Sequence, residues 1–278
     1  EKNFEILALS ELYKVSIKGS KRLWKKRDMY RNINFSPDGR FVLITTIKRP
    51  FSYLVPYYRF PSTYTIYGGN GKEVSVLADI PLIEDLPKGF MSVRKGPRSF
   101  SWRLDKPASI CFVNALDDGD PQVESEFRDE LFQLDAPFNR DPSSLLKTEN
   151  RFYRSSWCND TLAIVSDYWW NNRNAKTYLF NPSNPENGSM ILSDRNYQDR
   201  YNDPGSFVKE RNNFGENILA LRNNSLYLIG DGFTSKGQFP FLDKLDLNTK
   251  TKNRLYKSDM NGKKESLRDF SPDENQLF

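Results

Sequence analysis

Asn34-Phe-Ser-Pro-Asp-Gly-Arg-Phe-Val-Leu-Ile44 places a tight polar turn directly before a run of β-forming residues. Proline presets φ, the aspartate side chain caps the turn, and glycine supplies the positive φ that lets the chain reverse. The same wording returns as Ser101-Trp-Arg-Leu-Asp-Lys-Pro-Ala-Ser-Ile-Cys-Phe-Val113 and Ser156-Trp-Cys-Asn-Asp-Thr-Leu-Ala-Ile-Val165. It recurs over Val208–Leu221 and again at Asp269–Phe278. A period of roughly 50 to 65 residues, built from strands and polar turns, predicts repeated antiparallel sheets around an axis, one blade of a β-propeller per copy. The aromatic residues that open the copies, Phe35, Trp102, Trp157 and Phe270, are expected to pack between neighbouring blades.

Each copy continues into a second strand pair, which makes a four-stranded blade. After 35–47 come Ser62-Thr-Tyr-Thr-Ile-Tyr67, a Gly/Asn turn, and Glu73-Val-Ser-Val-Leu77, the alternation of a hairpin. The chain therefore divides into an outer half-blade at 1–28, blades at 29–79, 90–148, 150–194 and 205–258, and the start of a further blade at 266–278. The expected class is all-β: a propeller, partial or about five-bladed, of four-stranded antiparallel blades with little or no helix. One short helical turn is expected near Asp79 to Leu86.

The composition narrows the function. The 278 residues are 37% apolar, 28% charged and 14% aromatic, which describes a folded soluble protein whose strands meet across broad interfaces. A net charge of +5 is spread among 36 acidic residues with no basic stripe, so nucleic acid is not an expected partner. No apolar run is long enough to span a bilayer. No leader peptide is legible, and the sequence reads as a mature or excised segment. Cys111 and Cys158 sit in apolar strand patterns and read as buried free thiols. With no histidine, this stretch cannot assemble a Ser-His-Asp or Cys-His apparatus, and it contains no G-x-S-x-G elbow. No catalytic residue, metal ligand or cofactor site is expected in it.

Two segments break the rhythm of the repeat, 47–61 and 81–100. In the second, Arg94, Lys95 and Arg98 bracket Gly96-Pro97, so three cations meet at one turn. Guanidinium groups offer paired donors to a carboxylate, which makes these residues candidate ligand-binding groups. The alternative is a solvated loop, or internal ion pairs to Asp117, Asp118 or Glu84. Asp117-Asp-Gly-Asp120 reads as an acidic turn, because it lacks the further oxygen ligands of a calcium loop. Trp169-Trp170-Asn-Asn-Arg173 reads as a strand end packed on the next blade, or as an exposed aromatic platform.

Longer stretches carry a family resemblance. RPFSYLVPYYRFP (49–61), PLIEDLPKGFMSVRKGPRSFSWRLDKPASICFVNALDDGDP (81–121), RDELFQLDAP (128–137), YNDPGSF (201–207) and GQFPFLDKLDLNTKTKNRLYKSD (237–259) are the residues concerned. They resemble the N-terminal propeller region of prolyl oligopeptidase-family serine peptidases, in the glutamyl endopeptidase-like branch. The resemblance implies a propeller that caps a C-terminal α/β-hydrolase domain, absent from these residues, and restricts entry of peptides cut after glutamate. It implies a peptide substrate, the hydrolase domain of the same parent as partner, and a periplasmic or secreted location. Arg94 or Arg98 of VRKGPRS would then meet the substrate glutamate. The competing expectations are a stand-alone propeller that binds a protein or peptide, and a relative that has lost its catalytic half.

Overall fold

The computed structural model describes residues 2–259, 262–271, 276 and 278. It is all-β apart from one seven-residue helix and two short 3-10 turns, at Tyr57–Arg59 and Pro185–Asn187. The chain forms two compact units, residues 1–147 and 148–278.

The first unit opens with helix α1 (Lys2–Ala8) and a hairpin of β1 (Ser10–Val15) and β2 (Lys21–Asp28). Two four-stranded sheets follow. One holds β3 (Tyr30–Phe35), β4 (Phe41–Ile47), β5 (Ser62–Gly68) and β6 (Glu73–Ile80). The other holds β7 (Arg98–Trp102), β8 (Ser109–Ala115), β9 (Asp129–Asp135) and β10 (Ser143–Thr148). In both sheets the strands pair antiparallel with their neighbours in chain order.

In the second unit, β11 (Arg151–Asn159), β12 (Leu162–Trp169), β13 (Asn174–Phe180) and β14 (Ser189–Asn196) form a third meander. The remaining strands are β15 (Ser206–Phe207), β16 (Lys209–Arg211), β17 (Asn217–Leu219), β18 (Ser225–Gly230), β19 (Phe233–Thr234), β20 (Gly237–Gln238), β21 (Phe241–Asp246) and β22 (Lys252–Lys257). The fourth large sheet runs in the order β15-β18-β21-β22. The other four strands form two separate hairpins, β16-β17 and β19-β20.

The second strand of each large sheet is an apolar run, and it is buried on both faces. Val42–Ile44, Ile110–Val113, Leu162–Val165 and Leu226–Leu228 are the cases. Alternating burial marks a sheet that is wet on one side, so unbroken burial means each sheet is covered on both. In the first unit, Leu43 and Ile66 meet Trp102, Ile110, Leu134 and Phe138 across two sheets. In the second unit, Cys158 and Ile164 meet Leu226, Leu228 and Leu245 across the other two. Both cysteines are buried and neither forms a disulfide. Burial pushes the Cys111 thiol pKa upward, which leaves it an inert apolar filler.

The turn that opens the repeat owes its shape to its serine. Ser36 N donates to Phe41 O at 2.9 Å, and Phe41 N returns a bond to Ser36 Oγ at 3.0 Å. Asp38 Oδ1 accepts from Arg40 N at 3.0 Å. The last copy repeats the outer bonds, with Ser271 N to Gln276 O at 2.8 Å and Gln276 N to Ser271 Oγ at 2.9 Å. Its positions 272–275 and 277 lie outside the described residues.

Trp102, Trp157 and Phe270 are buried as their place in the repeat requires. Trp102 also joins two sheets, because its indole Nε1 donates to Asn34 O at 3.2 Å. Replacing Trp102 with Ala removes that bond and empties a core site between sheets. A loss of about 3–5 kcal/mol is expected in the unfolding free energy from denaturant titration.

Three expectations are corrected. Phe35 is 64% exposed, not packed between sheets. It shares a face of edge strand β3 with Ile33, which is also exposed. Residues 81–87 form no helical turn. Pro81 and Pro87 interrupt the segment, and a residue before proline is pushed toward extended backbone. The helix instead lies at α1, where Phe4 and Ala8, four residues apart, pack on Met29, Ile47, Phe51 and Phe60. Finally, the repeat at 208–221 contributes the separate hairpin β16-β17. The buried second strand of that sheet is β18.

Candidate functional site

The structure gives the three cations of the 94–98 turn three different surroundings. Lys95 projects into solvent and pairs with Asp118 at 3.0 Å, one of the internal ion pairs open to it. Arg98 turns inward from β7 and pairs with the buried carboxylate of Asp129, on β9 of the same sheet. Arg94 remains half-buried. Its Nη1 donates to Lys95 O at 3.0 Å and its Nη2 donates to Pro97 O, so the guanidinium is clamped to its own turn. Five N–H groups belong to a guanidinium, and beside this clamp the Tyr64 hydroxyl is a further hydrogen-bonding neighbour of the group.

Arg94 has neighbours that spacing could not reveal. Arg31, on β3, donates from Nη2 to the Tyr64 hydroxyl at 2.9 Å and from Nη1 to Tyr58 O at 3.2 Å. Tyr64, on β5, lies beside Arg94. Burial and the Arg98 and Arg31 charges pull the Arg94 pKa below the usual arginine value, while Tyr64 partly offsets them. Among the described residues, neither Arg31 nor Arg94 has a carboxylate partner. The Tyr64 oxygen accepts from Arg31, which leaves its own proton free to donate. Its ring is held by Phe100, centroid to centroid 4.6 Å.

Backbone irregularities bring these groups together. Arg31 is the extra residue in a register shift between Tyr30 and Asn32, and a second shift falls between Tyr64 and Thr65. A third lies between Arg98 and Ser101, where Ser99 takes φ of 56°. Bulges of this kind re-aim a side chain out of the alternation of its strand. The two segments that break the repeat also touch each other, with Ile83 N donating to Arg59 O at 3.0 Å and Ser52 Oγ donating to Glu84 Oε1 at 2.6 Å. The result is a half-buried cluster of two guanidinium groups around one phenol, a set of donors suited to one carboxylate.

Asp117 is buried, accepting from Arg128 Nη1 at 2.9 Å and from Gly119 N at 3.1 Å. Trp169 is buried and Trp170 is half-exposed, with the Arg173 guanidinium 3.8 Å from its ring centre. Among the described residues, no three histidine, cysteine or acidic side chains cluster to hold a metal. No helix there is long and apolar enough to cross a membrane.

A rice protein, "Probable glutamyl endopeptidase, chloroplastic", is 37% identical over 263 residues, which is 92% of this chain and 28% of that protein. The chain is homologous to a segment of a protein so described. The Arabidopsis thaliana protein of the same description is 34% identical over 264 residues, again 92% of this chain and 27% of its own length. The chain thus spans little more than a quarter of these relatives. No family model matches it. Among solved structures, Pyrococcus horikoshii acylaminoacyl peptidase aligns with a TM-score of 0.43 at 13% identity, covering 89% of this chain and 35% of that one. A putative 6-phosphogluconolactonase from Bacteroides uniformis aligns with a TM-score of 0.39 at 10% identity, covering 91% and 66%.

Proposed function

We propose that this chain is the non-catalytic propeller segment of a glutamyl endopeptidase-like serine peptidase, and that it helps select peptides by an acidic side chain. The observation that carries the reading is the recess in which Arg94 and Arg31 flank the Tyr64 hydroxyl without a protein carboxylate. The homology supports a peptidase parent, and with no histidine in these 278 residues a hydrolytic triad would draw its base from elsewhere in that parent. Four-stranded meanders with a doubly covered second strand support a radial stack of blades. In that arrangement the segment would gate passage of peptides to the hydrolase domain of the same parent.

The chemistry is electrostatic positioning. A substrate glutamate would accept from N–H groups of Arg94 and from the Tyr64 O–H, while Arg31 orients the phenol. Arg94 is partly desolvated, so the pairing is less screened than a surface ion pair. Hydrogen bonds to charged groups contribute about 1.5–3 kcal/mol, or roughly tenfold to a hundredfold in rate.

The test uses the full-length protein and two peptides that differ only by Glu or Gln at the cleavage residue. Arg94→Ala is expected to lower kcat/KM for the Glu peptide by that factor and to leave the Gln peptide nearly unchanged. Lys95→Ala is expected to change neither. An equal fall for both peptides would reject the role given to Arg94.

A further inference from the structure

The second unit contains an open cleft of about 640 Å³ between its two four-stranded sheets, in the size range of ligand sites. Register explains why the cleft exists. Arg154, Ser166, Thr177 and Ser193 sit opposite one another across β11, β12, β13 and β14. The next residues along this face of β12 and β13, Ile164 and Leu179, belong to the core that fills the space between the sheets. Facing sheets pack about 10 Å apart, and short hydroxyl side chains cannot close that distance. The core therefore stops at this row and the cleft begins.

The lining has a strong charge preference. Arg154, Lys176, Arg195, Lys250 and Lys252 line the cleft against one carboxylate, Asp167. Lys176, Arg195 and Lys252 are matched by Asp194, Asp203 and Asp243 respectively. Arg154 and Lys250 have no acidic partner among the described residues. An aromatic run forms one wall: Tyr153 meets Tyr168 at 5.6 Å and Tyr168 meets Tyr197 at 6.1 Å, both edge-to-face. The cleft runs along β14, the edge strand of its sheet, which pairs only with β13 among the described strands. An exposed edge is a template for an added extended chain.

We propose that this cleft binds an extended acidic peptide segment, with carboxylates on Arg154 and Lys250 and backbone against the hydroxyl row and the β14 edge. It is a second site, sharing no residue with the Arg31–Tyr64–Arg94 recess, and it stands whether or not that recess selects glutamate. The test is fluorescence anisotropy of a labelled hexapeptide alternating Asp and Val, added to the full-length protein. The peptide holds no glutamate, so its binding does not depend on cleavage after that residue. Saturable binding is expected, at least tenfold tighter than for the Lys/Val hexapeptide and weakened by added salt. The double variant Arg154→Glu, Lys250→Glu is expected to bind at least tenfold more weakly with an unchanged melting temperature, because both side chains are exposed. Thr177→Trp, which puts an indole into the hydroxyl row, is expected to abolish binding. Absence of saturable binding, equal affinity for the Lys/Val peptide, or unchanged affinity in the double variant would overturn the assignment.

Discussion

Asp129→Ala is expected to destabilise the first unit by about 3–5 kcal/mol, the range found when one member of a buried ion pair is removed. Asp129 is fully buried and Arg98 is 12% exposed, so the substitution removes a carboxylate from a guanidinium that water barely reaches. Arg98 Nη1 also lies 3.5 Å from Val113 O, a contact too long to replace a charged carboxylate. Replacing both partners is a different matter. Arg98→Met with Asp129→Leu fills similar volume with no charge to desolvate, and recovery of most of the lost stability is expected in urea titration. This pair also separates two roles for the cations at 94–98. A fall in activity on Arg98→Ala should follow the loss of folded protein and be equal for Glu and Gln peptides. At Arg94 the loss should be selective.

Gly119→Ala is expected to damage both stability and recognition. Gly119 has φ of 80°, a region costly to any L side chain, and an added Cβ would overlap the Val93 carbonyl oxygen. Relief requires the 91–95 loop to move, which breaks the Val93 N to Gly119 O bond of 3.0 Å and displaces Arg94, the next residue. A cost of about 1–3 kcal/mol from backbone strain is expected in thermal unfolding, together with a fall in Glu-over-Gln selectivity. Gly39→Ala is the control. Its φ of 70° is similarly strained, but its Cβ would enter open space. Stability should drop by about 1–2 kcal/mol with selectivity unchanged.

The sheets were legible in the sequence because their signals are local. Turn chemistry at Ser36-Pro-Asp-Gly39 and unbroken apolar runs such as Phe41–Ile44 are read within a dozen residues. The 208–221 copy misled for the same reason: Asn217-Ile-Leu219 has the right pattern, yet Ser225–Gly230 has a longer apolar run and occupies the buried position. Burial decided between two acceptable strands, and burial is not a local property. The helix at Lys2–Ala8 carries only two inward residues, too few for a periodic signal.

The recess was half legible. Its cations at 94–98 stood out because they interrupt the repeat. Which of them is free depended on Asp129, some thirty positions away and brought near only by the pairing of β7 with β8 and β8 with β9. Arg31 and Tyr64 were unread because each sits next to a bulge, which breaks the alternation by which strand side chains are assigned to faces.

A crystal structure of the full-length protein with a bound peptide ending in glutamate tests carboxylate capture most directly. The expected result is a glutamate side chain within about 3 Å of both Arg94 and the Tyr64 hydroxyl, with Arg31 still bonded to the phenol. A bound glutamate held by other residues, with this recess empty, would contradict it.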